Sequence, residues 1–336
     1  MNKVRVALIG LGGWGSSSSL PAIEEAGNLE LVTWFDANPD VVASYREQIS
    51  VEPAASYEEV LNRSDVDGVL LVVPNHLHAP LAIQAAKKQK HIWVEKPIAN
   101  YVAEADAMIQ AAEENGVVLS VGHSLRRNAV LRTAKKLVSD GKIGDLVAME
   151  GHQSHRGGWS LTPEMWRSYS DKCPGGPMNV LGIHQIDTMH YIMGPSSEVT
   201  GIMTKKYRDY EAVEITSIII RFQNNLLGTI MSTYVSPAKT FVSIYGTTGW
   251  LECDLTRGKL TCYDIESRPE EIEVTGVNPL VEEFREFGEC ILTGKRPETG
   301  GPEARAAVAV LEAAVESAKT GKAVPVTQGG ATHESL

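Results

Sequence analysis

Gly10, Gly12 and Gly15 form G-x-G-x-x-G directly after the β-branched run VRVALI and directly before a helical pattern. In that context the first glycine makes a tight turn and the second lets backbone approach a pyrophosphate. The third lets helix and strand pack closely, and the helix N-terminus faces the phosphates. Gly13 and Trp14 lie inside the same loop, and Ser16 and Ser17 just beyond it add hydroxyl donors. Asp36 closes the next strand-like run, LELVTWFD. A carboxylate there accepts the ribose hydroxyls of a dinucleotide and repels a 2′-phosphate, which favours NAD over NADP. The alternative, an ordinary glycine turn with Asp36 capping the helix after Pro39, leaves the strand and helix context unexplained.

Two further segments carry a resemblance. VVPNHLHAPLAIQAAKKQKHIWVEKPIA resembles the P-N-x-x-H stretch, helix and E-K-P strand end of the glucose-fructose oxidoreductase, inositol dehydrogenase and MocA family, and PGGPMNVLGIHQIDTMHYIMG resembles its G-x-H segment. With the glycine loop, the similarity spans nearly the whole chain. The resemblance implies that Lys96 and His184 are the catalytic pair at the nicotinamide. It implies Pro74 and Asn75 beside the cofactor, Glu95 on the nicotinamide ribose, and oligomer contacts through an open C-terminal sheet. The chemistry agrees, because a carbinol loses hydride only as its hydroxyl proton leaves, and that takes a base with a pKa near the working pH. Neutral His184 or a desolvated Lys96 serves, and Lys96 directly follows the run HIWVE at the carboxyl edge of a sheet, where cofactor clefts form.

One position departs from the family pattern. Four residues before the histidine, where many members carry an acidic or amide residue, this chain has Val180, with Asn179 next to it. Either Lys96 and His184 suffice, or Asn179 or Asp187 substitutes, or activity is impaired. Asp187 shares a helix face with His184 and is placed to orient it. Candidates for substrate contact are His123 and Arg126 after the last strand of the first domain, Trp166 with Arg167, and Asn179 and Asp187. An aromatic face beside a guanidinium suits sugar stacking and hydroxyl bonding, although Trp166 also suits anchoring a loop, and arginines at a helix start commonly make surface or interdomain ion pairs. His152, His155, His184, Asp187 and His190 have no ligand-like spacing, so no metal is expected.

The elements that position these residues follow from periodicity. Up to about residue 122, short apolar runs alternate with helical patterns, among them Leu77 to Lys88 and Tyr101 to Asn115. This order predicts parallel βαβ units in a doubly wound α/β Rossmann domain, residues 1–122. Residues 123–336 then form an α+β domain for substrate binding and oligomerisation. Helices are expected at Ala129 to Ser139 and Val180 to Met193, followed by the runs SSEVTGIMTKKY, AVEITSIIIRF, NLLGTIMSTYV, KTFVSIYG, GWLECDL and GKLTCYD in a large, mostly antiparallel open sheet. Two helices, NPLVEEFREFGECILTG and GPEARAAVAVLEAAVESAKTG, close the chain, and the active site is expected between the domains.

Composition narrows the partners. A formal net charge of -11 over 336 residues, with Lys and Arg dispersed, gives no footprint for nucleic acid or an anionic membrane. The N-terminal apolar run stops after a few residues, too short for a signal core or a spanning helix. The four cysteines form no C-x-x-C pair, which suits reduced thiols and a cytoplasmic setting. The reading is an oxidoreductase moving a hydride between NAD, or less favourably NADP, and a secondary alcohol of a sugar, inositol or related polyol, assembled as a homodimer or homotetramer. The alternatives are an NAD-dependent glycosidase with transient oxidation and a dinucleotide-sensing regulator that has lost catalysis.

Overall fold

A computed structural model describes residues 3–329. The chain forms two compact units. The first comprises the residues up to Ala99, Ala103–Arg127 and Val277–Ala304, and the second comprises Asn100–Val102, Asn128–Gly276 and the residues from Arg305 on. A single division at residue 122 therefore misses a return of the chain to the first unit.

In the first unit, β1 (Val4–Ile9), α1 (Leu20–Ala26), β2 (Leu29–Phe35), α2 (Pro39–Tyr45), α3 (Tyr57–Asn62), β3 (Gly68–Leu71), α4 (His78–Lys87), β4 (His91–Glu95), α5 (Val102–Glu114) and β5 (Leu119–Gly122) follow in order. Their strands make one parallel sheet in the order β2-β1-β3-β4-β5, which reverses direction between β1 and β3. Strands this apolar belong in a sheet covered on both faces, and β3 is buried at every position. Helix starts follow their caps: the Asn38 side chain accepts from the Asp40 N–H ahead of Pro39, and Ser56 accepts from the Glu59 N–H.

The second unit begins with α6 (Ala129–Ser139), capped by Asn128, then β6 (Leu146–Ser154) and α7 (Ile183–Met193). The strands β7 (Ser196–Thr204), β8 (Ile215–Phe222), β9 (Leu227–Thr233), β10 (Lys239–Gly246), β11 (Gly249–Asp254), β12 (Lys259–Asp264) and β13 (Pro269–Ile272) come next. Helix α8 (Pro279–Thr293) returns to the first unit, after which α9 (Gly301–Thr320) and β14 (Val324–Pro325) end the described chain. The sheet has nine strands in the order β13-β12-β11-β10-β6-β9-β8-β7-β14. It is mostly antiparallel but not a simple meander, because β6 enters between β9 and β10 and runs parallel to β9. Along β8 and β9, buried and exposed residues alternate, so one face packs inward and the other faces out.

Apolar burial explains why α8 belongs with the first sheet. Phe284 and Phe287 are fully buried, and Phe284 meets the ring of Trp93 on β4 edge-on with centroids 4.9 Å apart. Leu280 and Val281 complete the contact with a core that includes Val4, Val6, Leu8 and Ile23.

Candidate dinucleotide site and surrounding residues

The glycine loop leaves β1 in the conformation its residue types require. Gly10 has φ +94°, and a Cβ there would stand 2.2 Å from the Val72 carbonyl oxygen. A Cβ on Gly15 would stand 2.1 Å from the Gly10 oxygen, so no larger residue fits either place. A Cβ on Gly12 or Gly13 would meet nothing within 4 Å, so the turn is open on that side to a ligand. The loop then enters a helix whose segment Gly15–Ser19 is wound as a π-helix before α1 begins at Leu20. Helical winding thus begins at the last glycine of the loop, and π segments favour functional positions. Ser16 and Ser17 both donate their hydroxyls to the Gly13 carbonyl, at 3.3 and 2.6 Å, so these protons serve the loop itself. Trp14 is exposed.

Asp36 stands one residue past the end of β2 and holds two backbone donors. Oδ2 accepts from the Leu11 N–H and Oδ1 from the Asn38 N–H, each at 2.8 Å. It is therefore a brace for the glycine loop, and the cap of α2 is Asn38. Each oxygen of an ionised carboxylate retains a second lone pair for another donor. The residues at this edge fit a dinucleotide: an open glycine turn, a helix start and a half-buried acid one strand away.

Glu95 ends β4 and Lys96 follows directly, and both are half-buried. The Glu95 carboxylate accepts from the Lys96 N–H at 3.1 Å, and a Cβ on Gly122 at the end of β5 would come 3.6 Å from it. Asn75 is buried in a 3-10 turn between β3 and α4. His123 and Arg126 are buried as well. Arg127 takes up the ion pairs expected of this segment, but in the interior of the first unit, with Glu286 at 2.5 Å, Glu298 at 3.5 Å and Glu283 at 3.9 Å. A surface reading of these arginines is thereby corrected.

In the second unit, a π-helical segment, Met178–Gly182, precedes α7. Asn179, within it, is buried and donates through Nδ2 to Asn100 Oδ1 at 3.2 Å, and Asn100 donates in turn to the Lys172 carbonyl at 2.8 Å. His184 is half-buried in the first turn of α7, and Asp187, one turn on, is buried. Trp166 and Arg167 stand together in a 3-10 turn, with the guanidinium carbon 4.8 Å from the indole centroid. His152 stacks on Phe241 and His155 on Tyr234. Among the described residues no group of three or more His, Cys, Asp or Glu is placed to hold a metal, and the four cysteines are buried thiols outside any disulfide.

The residue that sequence reasoning passes over is His78, at the head of α4. It is fully buried, with both ring nitrogens against backbone carbonyls. Its signal in the sequence is its place as the histidine of P-N-x-x-H.

Comparison with known proteins agrees with this geometry. A family described as an oxidoreductase family with an NAD-binding Rossmann fold, GFO/IDH/MocA, matches residues 4–123, and the GFO/IDH/MocA C-terminal domain matches residues 131–252. The chain is similar to D-xylose 1-dehydrogenase [NADP(+)] of Haloarcula marismortui, 23% identical over 95% of this chain and 92% of that one. It is similar to 1,5-anhydro-D-fructose reductase of Ensifer adhaerens, 26% identical over 97% and 99%. Among solved structures, a putative NADPH-dependent oxidoreductase of Desulfitobacterium hafniense superposes with a TM-score of 0.91 at 28% identity, covering 97% of this chain and 98% of that one. With both parts of one family matched in order along the chain, and the glycine loop in place on the first sheet, the protein belongs to the GFO/IDH/MocA family of oxidoreductases.

Proposed function

We propose that this oxidoreductase transfers a hydride between NAD and a secondary alcohol of a sugar, inositol or related polyol. The observation that carries the reading is the carboxyl edge of the first sheet. There an open glycine turn, a brace acid at Asp36 and the Glu95–Lys96 strand end stand on strands of a single sheet. The names of the similar proteins, which speak of xylose and anhydrofructose, support the substrate class.

The cofactor, when bound, supplies the hydride acceptor or donor. Gly10, Gly12, Gly13, Trp14 and Gly15 would hold its phosphates, Asp36 its adenosine ribose, and Pro74, Asn75 and Glu95 its nicotinamide half. Lys96 and His184 would manage the substrate hydroxyl proton, one as base and the other as hydrogen-bond donor to the same oxygen. Trp166 and Arg167 would stack on and bond to the sugar ring, and His123, Arg126, Asn179 and Asp187, all buried, are the further candidates for substrate contact. NAD in preference to NADP follows from the charge of Asp36, which repels a 2′-phosphate.

Self-association as a homodimer or homotetramer is part of the proposal, through the outer face of the nine-stranded sheet. Ile202, Ile219, Leu227 and Met231 are exposed on the neighbouring strands β7, β8 and β9, and Tyr245 on β10 beyond β6, with Ile202 at 68% and Ile219 at 50%.

The test is a panel of sugars, polyols and their keto forms with NAD and NADP, followed by the absorbance of the reduced nicotinamide. Turnover of at least one member with NAD is expected. Full cofactor binding with no turnover of any member would overturn the reading in favour of a non-catalytic role.

A further inference from the structure

His78 Nδ1 lies 2.8 Å from the Pro97 carbonyl oxygen and Nε2 lies 2.9 Å from the Val73 carbonyl oxygen, in a position with no solvent exposure. Val73 immediately precedes Pro74 and Asn75, and Pro97 immediately follows Lys96. We propose that His78 is a positioning residue, whose ring ties the exit of β3 to the exit of β4 and so fixes the spacing between the Pro74–Asn75 turn and Lys96. This rests on the assignment of those residues to the nicotinamide side of the site.

The chemistry of the ring suits a tie. Carbonyl oxygens only accept, so both contacts call on the imidazole as donor. A neutral ring donates to only one of the two carbonyls and turns a lone pair toward the other, so it supplies one hydrogen bond, whereas a charged ring donates to both. Burial favours the neutral form and pushes the ring pKa down to about 4, against the pull of the carbonyls. The neighbouring buried residues of α4, Ala79 and Ala82, carry no polar side-chain atom that reaches either loop. Without the ring, the Val73 and Pro97 carbonyls would lose their shared neighbour.

The test uses the full chain and three variants. His78→Phe keeps ring volume without either nitrogen, His78→Asn keeps an amide where Nδ1 stands, and His78→Gln keeps one where Nε2 stands. Dissociation constants are measured for NADH and for ADP-ribose, which lacks the nicotinamide, well below each variant's melting temperature. His78→Phe is expected to bind ADP-ribose within about twofold of the parent chain and NADH roughly tenfold more weakly, a loss of the size of one hydrogen bond. His78→Asn and His78→Gln are expected to be intermediate, with a selective NADH loss of about threefold in at least one. If His78→Phe does not fold, these two decide alone. An unchanged ratio of the two affinities in every folded variant, whatever happens to melting, would reduce His78 to a core residue and overturn the proposal. The readout needs no substrate, so a sugar panel without turnover leaves it standing, and its own failure leaves the dehydrogenase reading untouched.

Discussion

Asp36 braces the glycine loop through the Leu11 N–H, and in the proposed site the same carboxylate would meet the adenosine ribose of the dinucleotide. Asp36→Ala is therefore expected to weaken NAD binding by about tenfold or more, the scale of a hydrogen bond to a charged group, and to erode the preference for NAD over NADP. Fluorescence titration with NADH and NADPH checks both, and an unchanged preference would remove Asp36 from the site. Buried histidines set a second expectation at this scale. Burial lowers His91, whose Nδ1 accepts from the Val118 N–H, and lowers His78 to about 4. A ring whose folded pKa lies below its unfolded value near 6.5 binds fewer protons when folded, so stability is full above that value and drains away as pH falls from about 6.5 toward 4. Urea melts at pH 7 and pH 5 are expected to show a lower midpoint at pH 5. Equal midpoints would mean that neither ring is held neutral.

At the scale of elements, the sequence was a good guide wherever chemistry and periodicity coincide. α4, α5 and α6 lie within a residue of the bounds that their apolar spacing and caps predict. Gly10 and Gly15 are legible because a Cβ at either would collide with backbone. What was not legible is long-range. Nothing local in LVAMEGHQS says that β6 will enter between β9 and β10, since that choice is made by pairing partners far along the chain. Nor does NPLVEEFREFGECILTG announce that its phenylalanines will cover the first sheet. Arg127 marks the same return. Its side chain is 5% exposed and sits among Glu283, Glu286 and Glu298, tying the turn after β5 to α8 and the segment beyond it. Arg127→Met would leave these carboxylates without that cation, and a loss of about 3–5 kcal/mol is expected. Chemical denaturation measures it, and a midpoint equal to that of the parent chain would show that α8 is held by apolar packing alone.

For the whole molecule, the outer face of the nine-stranded sheet and the proposed hydride transfer are the two properties that matter most. Light scattering is expected to show a dimer or tetramer, and Ile219→Asp to shift it toward monomer, because a charge would have to be buried in the interface. A monomeric parent chain would contradict that assembly. Among the described residues no helix is long and apolar enough to cross a membrane. The central claim is hydride transfer from a carbinol, managed by Lys96 and His184, and one labelling measurement tests it directly. A sugar or polyol substrate carrying deuterium at the reacting carbon is incubated with NAD and the chain, and the reduced cofactor is weighed by mass spectrometry. The account predicts one deuterium in the NADH formed, and loss of most of that product with Lys96→Ala and with His184→Ala while both still bind NAD. Unlabelled NADH, label released to water, or near-normal product from either variant would contradict it.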